Sequence, residues 1–195
     1  DELVEMMVKR FREVWKPDWT ERARSLSFSP RQIVTTASII ETEAKLADER
    51  PFVASVIYNR LKKGIPLAVD SSIVYASKLE GKWRYDGKVY RSDIERRSPY
   101  NTRIYAGLPP GPVASPGESS LRAALDPATS DYLYYVRNPD RDDGAHNFYS
   151  NGAEFETGVQ ALRKWERERD AQAAIAAAAE RTRIAREMHD VVAHS

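Results

Sequence analysis

One stretch of 20 residues, SPYNTRIYAGLPPGPVASPG at 98–117, limits what the rest of the chain can build. It holds five prolines and three glycines. Proline fixes φ and removes a backbone donor, and glycine loses the most freedom on ordering, so neither a helix nor a strand runs through it. A loop of this length inside a compact domain is uncommon and is usually functional or disordered. Tyr100, Ile104, Tyr105 and Leu108 give this one apolar anchors, which favours order. The chain is thereby divided into a front part, helical except for a predicted hairpin at its end, and a mixed back part.

In the front part, residues 1–15 read as an amphipathic helix, with Leu3, Met7, Phe11 and Val14 or Trp15 at helical spacing. Pro17 breaks that pattern. Ser29-Pro30 supplies an N-cap and a first-turn proline for a second long helix, predicted to run to about Asp48. FVASVIYNRLKKG after Pro51 is a third, closed by Gly64, and PLAVDSSIVYASKLEG holds a turn and a short helix. KWRYDGKVY predicts a β-hairpin, with Asp86-Gly87 as its type I′ turn. Beyond the loop come a short helix ended by Pro127, a strand in DYLYYVRN, a turn, a partner strand in HNFYS, and a closing helix from AEFETGVQALRKWERERDAQ. The expected class is α+β, helices first and two hairpins later. From Asp170 the composition turns Ala-rich, and residues from about 160 to 195 predict one long helix. Ile175, Ala178, Thr182, Ala185, Met188 or His189, and Val192 trace a seam of three- and four-residue steps along it.

Composition removes several functions. A net charge of +1 over 195 residues gives no electrostatic footprint for nucleic acid. There is no cysteine, hence no disulfide and no thiol nucleophile, and three histidines, His146, His189 and His194, make a histidine-rich metal site a poor expectation. Neither a cofactor nor a metal is expected. No run of about 18 apolar residues suggests a membrane span, and no signal peptide opens the chain. The chain begins at Asp1 and reads as a piece of something longer.

Chemistry is concentrated in SIIETEAK, residues 38–45, where Glu41 and Glu43 lie two apart. On a helix they point about 200° apart, so they do not serve one site as a pair. Glu41 has Lys45 four positions on, an ordinary surface pair of about 0.3 kcal/mol. Glu43 lies among Ile39, Ile40, Leu46 and Ala47 with no cation three or four positions away. Such surroundings disfavour the charged form and favour a carboxylic acid able to protonate a leaving oxygen. Both acids being solvated helix residues is the competing reading.

Three blocks, ASIIETEAKLADERPFVASVIYNRLKKGIPLAVDSSIVY, SPYNTRIYAGLPPGPVASPGESSLRAALDP and YLYYVRNPDRDDGAHNFYSN, resemble the signature blocks of the endolytic murein transglycosylase (YceG-like) family, in order and spacing. The resemblance covers about residues 30–168. It implies a lysozyme-like catalytic domain over 1–168, with 1–29 a helical lead-in, and an active-site helix whose Glu-x-Glu pattern puts the catalytic acid at Glu43. It implies cleavage between the muramic acid and glucosamine units of peptidoglycan strands. One acid would act alone: it protonates the bridging oxygen, then takes the proton of the muramoyl 6-hydroxyl as a 1,6-anhydro ring closes. Asn101 and Thr102 would offer groups to sugar hydroxyls, and Tyr100 and Tyr105 faces to sugar rings, or the tyrosines are core and Asn101 a turn residue. Asp70 reads either as a second acid, which would make the protein a hydrolysing muramidase, or as the N-cap of a helix starting at Ser71. The resemblance places His146 and Asn151 near the cleft. The implied location is the periplasmic or extracytoplasmic face of the bacterial inner membrane, and the implied partners are glycan strands and cell-wall synthesis machinery. The family's membrane anchor and LysM-like region have no counterpart here. The tail, 169–195, resembles instead the opening of a histidine-kinase dimerisation and phosphoacceptor helix, with His189 at the phosphoacceptor position. It predicts a weak homodimer, and leaves open a non-catalytic glycan-binding module carrying a dimerising helix.

Overall fold

Helix α3 organises the molecule. The structure, a computed structural model, describes residues 2–193, with side chains as far as Met188. α3 (Pro30–Glu43) opens with a reciprocal cap: the Gln32 N–H donates to Ser29 Oγ (3.3 Å), while the Ser29 N–H donates to Gln32 Oε1 (2.8 Å). Ile33, Thr35, Thr36, Ala37, Ser38, Ile39 and Ile40 are all buried, so the helix is enclosed on nearly every side. Two of its buried hydroxyls return to its own carbonyls, Thr35 to Arg31 (2.9 Å) and Ser38 to Thr35 (2.7 Å), while Thr36 Oγ1, equally buried, has no hydrogen-bond partner among the described residues.

Around α3 pack α4 (Arg50–Lys62), α5 (Asp70–Leu79) and α7 (Glu118–Leu125), with Ile33, Ile40, Val53, Ile57, Leu121 and Leu125 in the common core. Buried polar ties join these elements. The Tyr58 hydroxyl donates to the Ala124 carbonyl (2.6 Å), and Asn59 Nδ2 donates to the carbonyls of Ser130 and Tyr132 (2.9 Å each). Two helices lead into the core, α1 (Glu2–Val14) and α2 (Pro17–Ser25); at their junction Phe11 stacks on Trp15, and Trp19 meets Trp15 edge to face. Strands β1 (Tyr134–Arg137) and β2 (His146–Tyr149) form an antiparallel hairpin, Tyr135 facing Phe148 and Arg137 facing His146. Helix α8 (Gly152–Ala193) follows directly. The architecture is α+β.

Two local expectations fail. α3 stops at Glu43, not near Asp48, because Ala44 turns extended (φ −111°, ψ 106°), and its carbonyl accepts from Arg50 Nε at 3.4 Å. Lys45 therefore never reaches the position of a helical partner for Glu41. No strands form at 82–90 either. A type I′ turn needs positive φ at both Asp86 and Gly87; here Tyr85 (58°) and Gly87 (76°) have it instead. The Asp86 carboxylate accepts from the Lys88 N–H (3.1 Å) and the Tyr90 hydroxyl (2.7 Å), a side-chain turn that replaces a ladder. With Tyr85 80% exposed, this ribbon has no second layer to cover it, and two strands alone are marginal in water. The segment is pinned through Asp93 in the short α6 (Arg91–Ile94). Asp93, 1% exposed, accepts from Ser77 Oγ (2.9 Å), the Tyr90 N–H (3.0 Å) and Arg96 (3.2 Å). Burial alone would raise its pKa; these donors outweigh it and hold the carboxyl below its ordinary range.

Candidate active site

Glu43 is the last residue of α3, where the helix opens onto a cleft of about 370 Å³. Its carboxylate is half-buried and receives two hydroxyls. Ser71 Oγ, in the first turn of α5, donates to Oε1 at 2.8 Å, and the Tyr135 hydroxyl, from β1, donates to Oε2 at 2.8 Å. The aliphatic neighbours expected from the sequence point elsewhere: Ile39 and Ile40 are buried in the core behind it. Tyr135 is held firmly as a phenol. Burial first, and then the adjacent Glu43 carboxylate, push its ionisation well above the usual tyrosine value. Its ring stands edge-on to His146, with centroids 5.4 Å apart.

Arg60, Asp70, Arg103, Tyr134 and Phe155 complete the cleft with the 67–69 backbone. Asp70 lies in the first turn of α5 and is not a cap: Val69 occupies the N-cap position, without a side-chain cap bond. Asp70 Oδ1 accepts from Arg103 Nη2 at 2.7 Å. Arg60 donates to the carbonyls of Pro66 (3.0 Å) and Leu133 (3.2 Å) and lies over the Tyr134 ring (5.3 Å), which in turn stacks on Phe155 (4.9 Å). Arg60 is held below the ordinary arginine range by its burial, with Arg103 pressing the same way.

Glu41 faces away and does something different. It accepts from the Gly117 N–H (2.9 Å), Ser120 Oγ (2.8 Å) and Arg50 Nη2 (3.3 Å), fixing the end of the proline-rich loop and the start of α7 to α3. Partial burial would raise its pKa, but the Gly117 amide, the Ser120 hydroxyl and the Arg50 charge outweigh it, so the carboxyl sits below the usual glutamate value. Its partner is Arg50, nine residues on, and not Lys45.

The remaining sequence candidates are not brought to the carboxylate. Asn101 is 0% exposed; its amide donates to the Ile94 and Arg96 carbonyls (2.8 Å each) and its oxygen accepts from the Arg103 N–H (3.0 Å), which leaves little for a sugar. Buried Thr102 accepts from the Val69 N–H (3.2 Å) and bonds Ser72 Oγ (2.8 Å), shaping the cleft floor from beneath. Tyr100 packs on Tyr75 (4.8 Å) against the core, while Tyr105 is exposed. His146 Nδ1 bonds Glu49 Oε2 (2.8 Å), and Asn151 caps α8 by accepting from the Glu154 N–H (2.9 Å). Ser71, Tyr135, Arg60, Tyr134, Arg103 and Phe155 were not singled out in the sequence. The aromatic run YLYY was the available signal, but only the hairpin register says which tyrosine faces Glu43. Among the described residues no group of three or more His, Asp or Glu side chains is placed to hold a metal ion.

Comparison with known proteins supplies an independent line. A model of the YceG-like family matches residues 1–161. The chain is 39% identical over 139 residues to the endolytic murein transglycosylase of Bacillus subtilis, covering 70% of this chain and 36% of that protein. It is 33% identical over 113 residues to the endolytic murein transglycosylase of Streptococcus pneumoniae, covering 58% of this chain and 20% of that one. A crystal structure of a yceG-like protein from Listeria monocytogenes superposes with a TM-score of 0.63 at 35% identity, covering 72% of this chain and 43% of the other. The chain thus spans between a fifth and somewhat under half the length of these relatives.

Proposed function

The chain belongs to the YceG-like family, and on that premise we propose that it cuts peptidoglycan glycan strands internally as a lytic transglycosylase with Glu43 as its acid and base. The observation that carries the reading is the Glu43 carboxyl, at a helix end on an open cleft, aimed by two hydroxyl donors. Protonated Glu43 gives its proton to the oxygen linking muramic acid to glucosamine. As that bond breaks, the carboxylate that forms is met by the Ser71 and Tyr135 hydroxyls, which lower the cost of the charge without moving a proton themselves. Tyr135 remains a phenol throughout. The carboxylate then takes the proton of the muramoyl 6-hydroxyl, whose oxygen closes on the anomeric carbon as a 1,6-anhydro ring. Atoms balance without water: one C–O bond breaks, one forms, and one proton passes through Glu43 each way.

Asp70 on the same cleft supports a second reading, hydrolysis by two carboxylates and a water, although Arg103 already pairs with it. Mass spectrometry of digested strands separates the two: 1,6-anhydro ends are expected, and reducing muramoyl ends would replace the transglycosylase by a muramidase. Such a substrate lies outside the cytoplasmic membrane, so the protein acts on its extracytoplasmic face, beside the machinery that builds the strands. No helix of the described residues is long and apolar enough to cross a membrane.

A further inference from the structure

The two arginines of the cleft have no counterpart in the acid–base scheme. When Glu43 is ready to donate, it is neutral, and the remaining charged side chains lining the cleft are Arg60, Arg103 and Asp70, two cations against one anion. Arg103 and Asp70 satisfy one another at 2.7 Å. Arg60 has no carboxylate within 4.0 Å among the described residues; its partners are two neutral carbonyls and a ring face. A guanidinium drawn from water without a counter-charge is expensive, and two neighbouring guanidiniums repel, so an anion entering the cleft relieves both. Arginine's planar fork suits a carboxylate better than it suits a sugar hydroxyl.

We propose that Arg60 and Arg103 form an anion subsite beside Glu43 that takes a carboxylate carried on the 3-O-lactyl arm of the muramoyl residue. The inference rests on the glycan-cleaving reading of Glu43 above and adds which substituent the cleft selects. Two sources offer that chemistry: the lactyl carboxyl itself, free where the peptide has been removed, or a carboxylate of an attached stem peptide. The guanidinium pair discriminates the two sugars of the strand, since glucosamine carries no acid, and so fixes the register in which the scissile bond meets Glu43.

The test uses the full chain carrying Glu43→Gln, which mimics the neutral acid and halts turnover. Calorimetry compares three forms of one muramoyl–glucosaminyl oligosaccharide: free lactyl carboxylate, lactyl carboxamide, and lactyl joined to a short stem peptide. The carboxylate is expected to bind about tenfold more tightly than the carboxamide, the scale of one charge-assisted contact, with the gap narrowing in salt. Adding Arg103→Gln should shrink the gap to about threefold or less, and Arg103→Lys should restore much of it. If the peptide form binds like the free carboxylate, the stem peptide is a source as well; if it binds like the carboxamide, the lactyl group is the only one. Equal affinity for all three forms overturns the subsite. Cleavage by the unmutated chain is measured alongside: strands bound selectively but never cut would sink the enzymatic reading and leave the subsite standing, while cutting without selectivity would do the reverse.

Discussion

Glu43 receives its two hydroxyls from residues 28 and 92 positions further along the chain. Local sequence can flag such a residue but cannot complete it. The apolar neighbours of Glu43 marked it as unusual, while its actual surroundings, a serine on α5 and a tyrosine on a hairpin, exist only once the chain has folded back twice. Glu43→Gln keeps the shape and removes the transferable proton, so glycan cleavage should fall by about 10² to 10⁴-fold with thermal unfolding nearly unchanged. Tyr135→Phe removes one donor from the carboxylate and should lower kcat by about tenfold with little change in KM. A Glu43→Gln protein that still cleaves, assayed by release of soluble muropeptides, would dismiss the assignment. At Asn101 the lesson is reversed. A polar residue in a Pro/Gly-rich loop looked available to substrate, yet three backbone groups already hold its amide, and a loop of that composition needs such side-chain bonds because it has no ladder of its own.

Among the elements, α3 and α7 are joined chiefly through the apolar core and, at their edge, through Glu41. This join has a pH signature. The folded protein holds the Glu41 carboxyl below its ordinary value, so its contribution is fully present above that value and drains away as pH falls through the lowered folded one. Urea unfolding followed from pH 7 down to about 3 should therefore show wild-type stability falling, and Glu41→Gln should be less stable by about 1–3 kcal/mol at pH 7 but lose less on acidification. Parallel curves for the two proteins would mean that Glu41 is no join. Most elements were legible from punctuation and period: the Ser29-Pro30 start, the helix after Pro51, the helix ended by Pro127 and the second hairpin all appear where turn residues and apolar spacing put them. The Asp86-Gly87 hairpin was not, because turn chemistry says how a chain can reverse and not whether anything will cover the strands. The end of α3 was missed for a related reason: nothing in AKLADE breaks a helix, and the break comes from Arg50 reaching back to Ala44 and Glu41.

At the scale of the whole molecule, α8 is the outlier. Its 42 residues span about 63 Å at 1.5 Å each, and beyond Trp165 every described side chain is exposed, Ile175 at 70%. His189 and Val192, part of the expected seam, lie outside the residues whose side chains are described. We propose weak self-association through this exposed stretch. Sedimentation of the full chain against a version ending near Asp170 should show concentration-dependent dimer in the first alone, and identical monomers would remove the dimer while leaving the cleft untouched. The near end of α8 is built otherwise. Gly158 sits against Tyr149 so closely that a Cβ there would come within 2.4 Å of the phenol oxygen, and Phe155 stacks on Tyr134. Tyr134 and Tyr149 are paired in the hairpin that also carries Tyr135. The long helix is therefore a lever with its fulcrum on the strands that aim a hydroxyl at Glu43: a sideways load on the far arm, multiplied by the length of the projecting part, would arrive as torque at the carboxylate proposed as the acid.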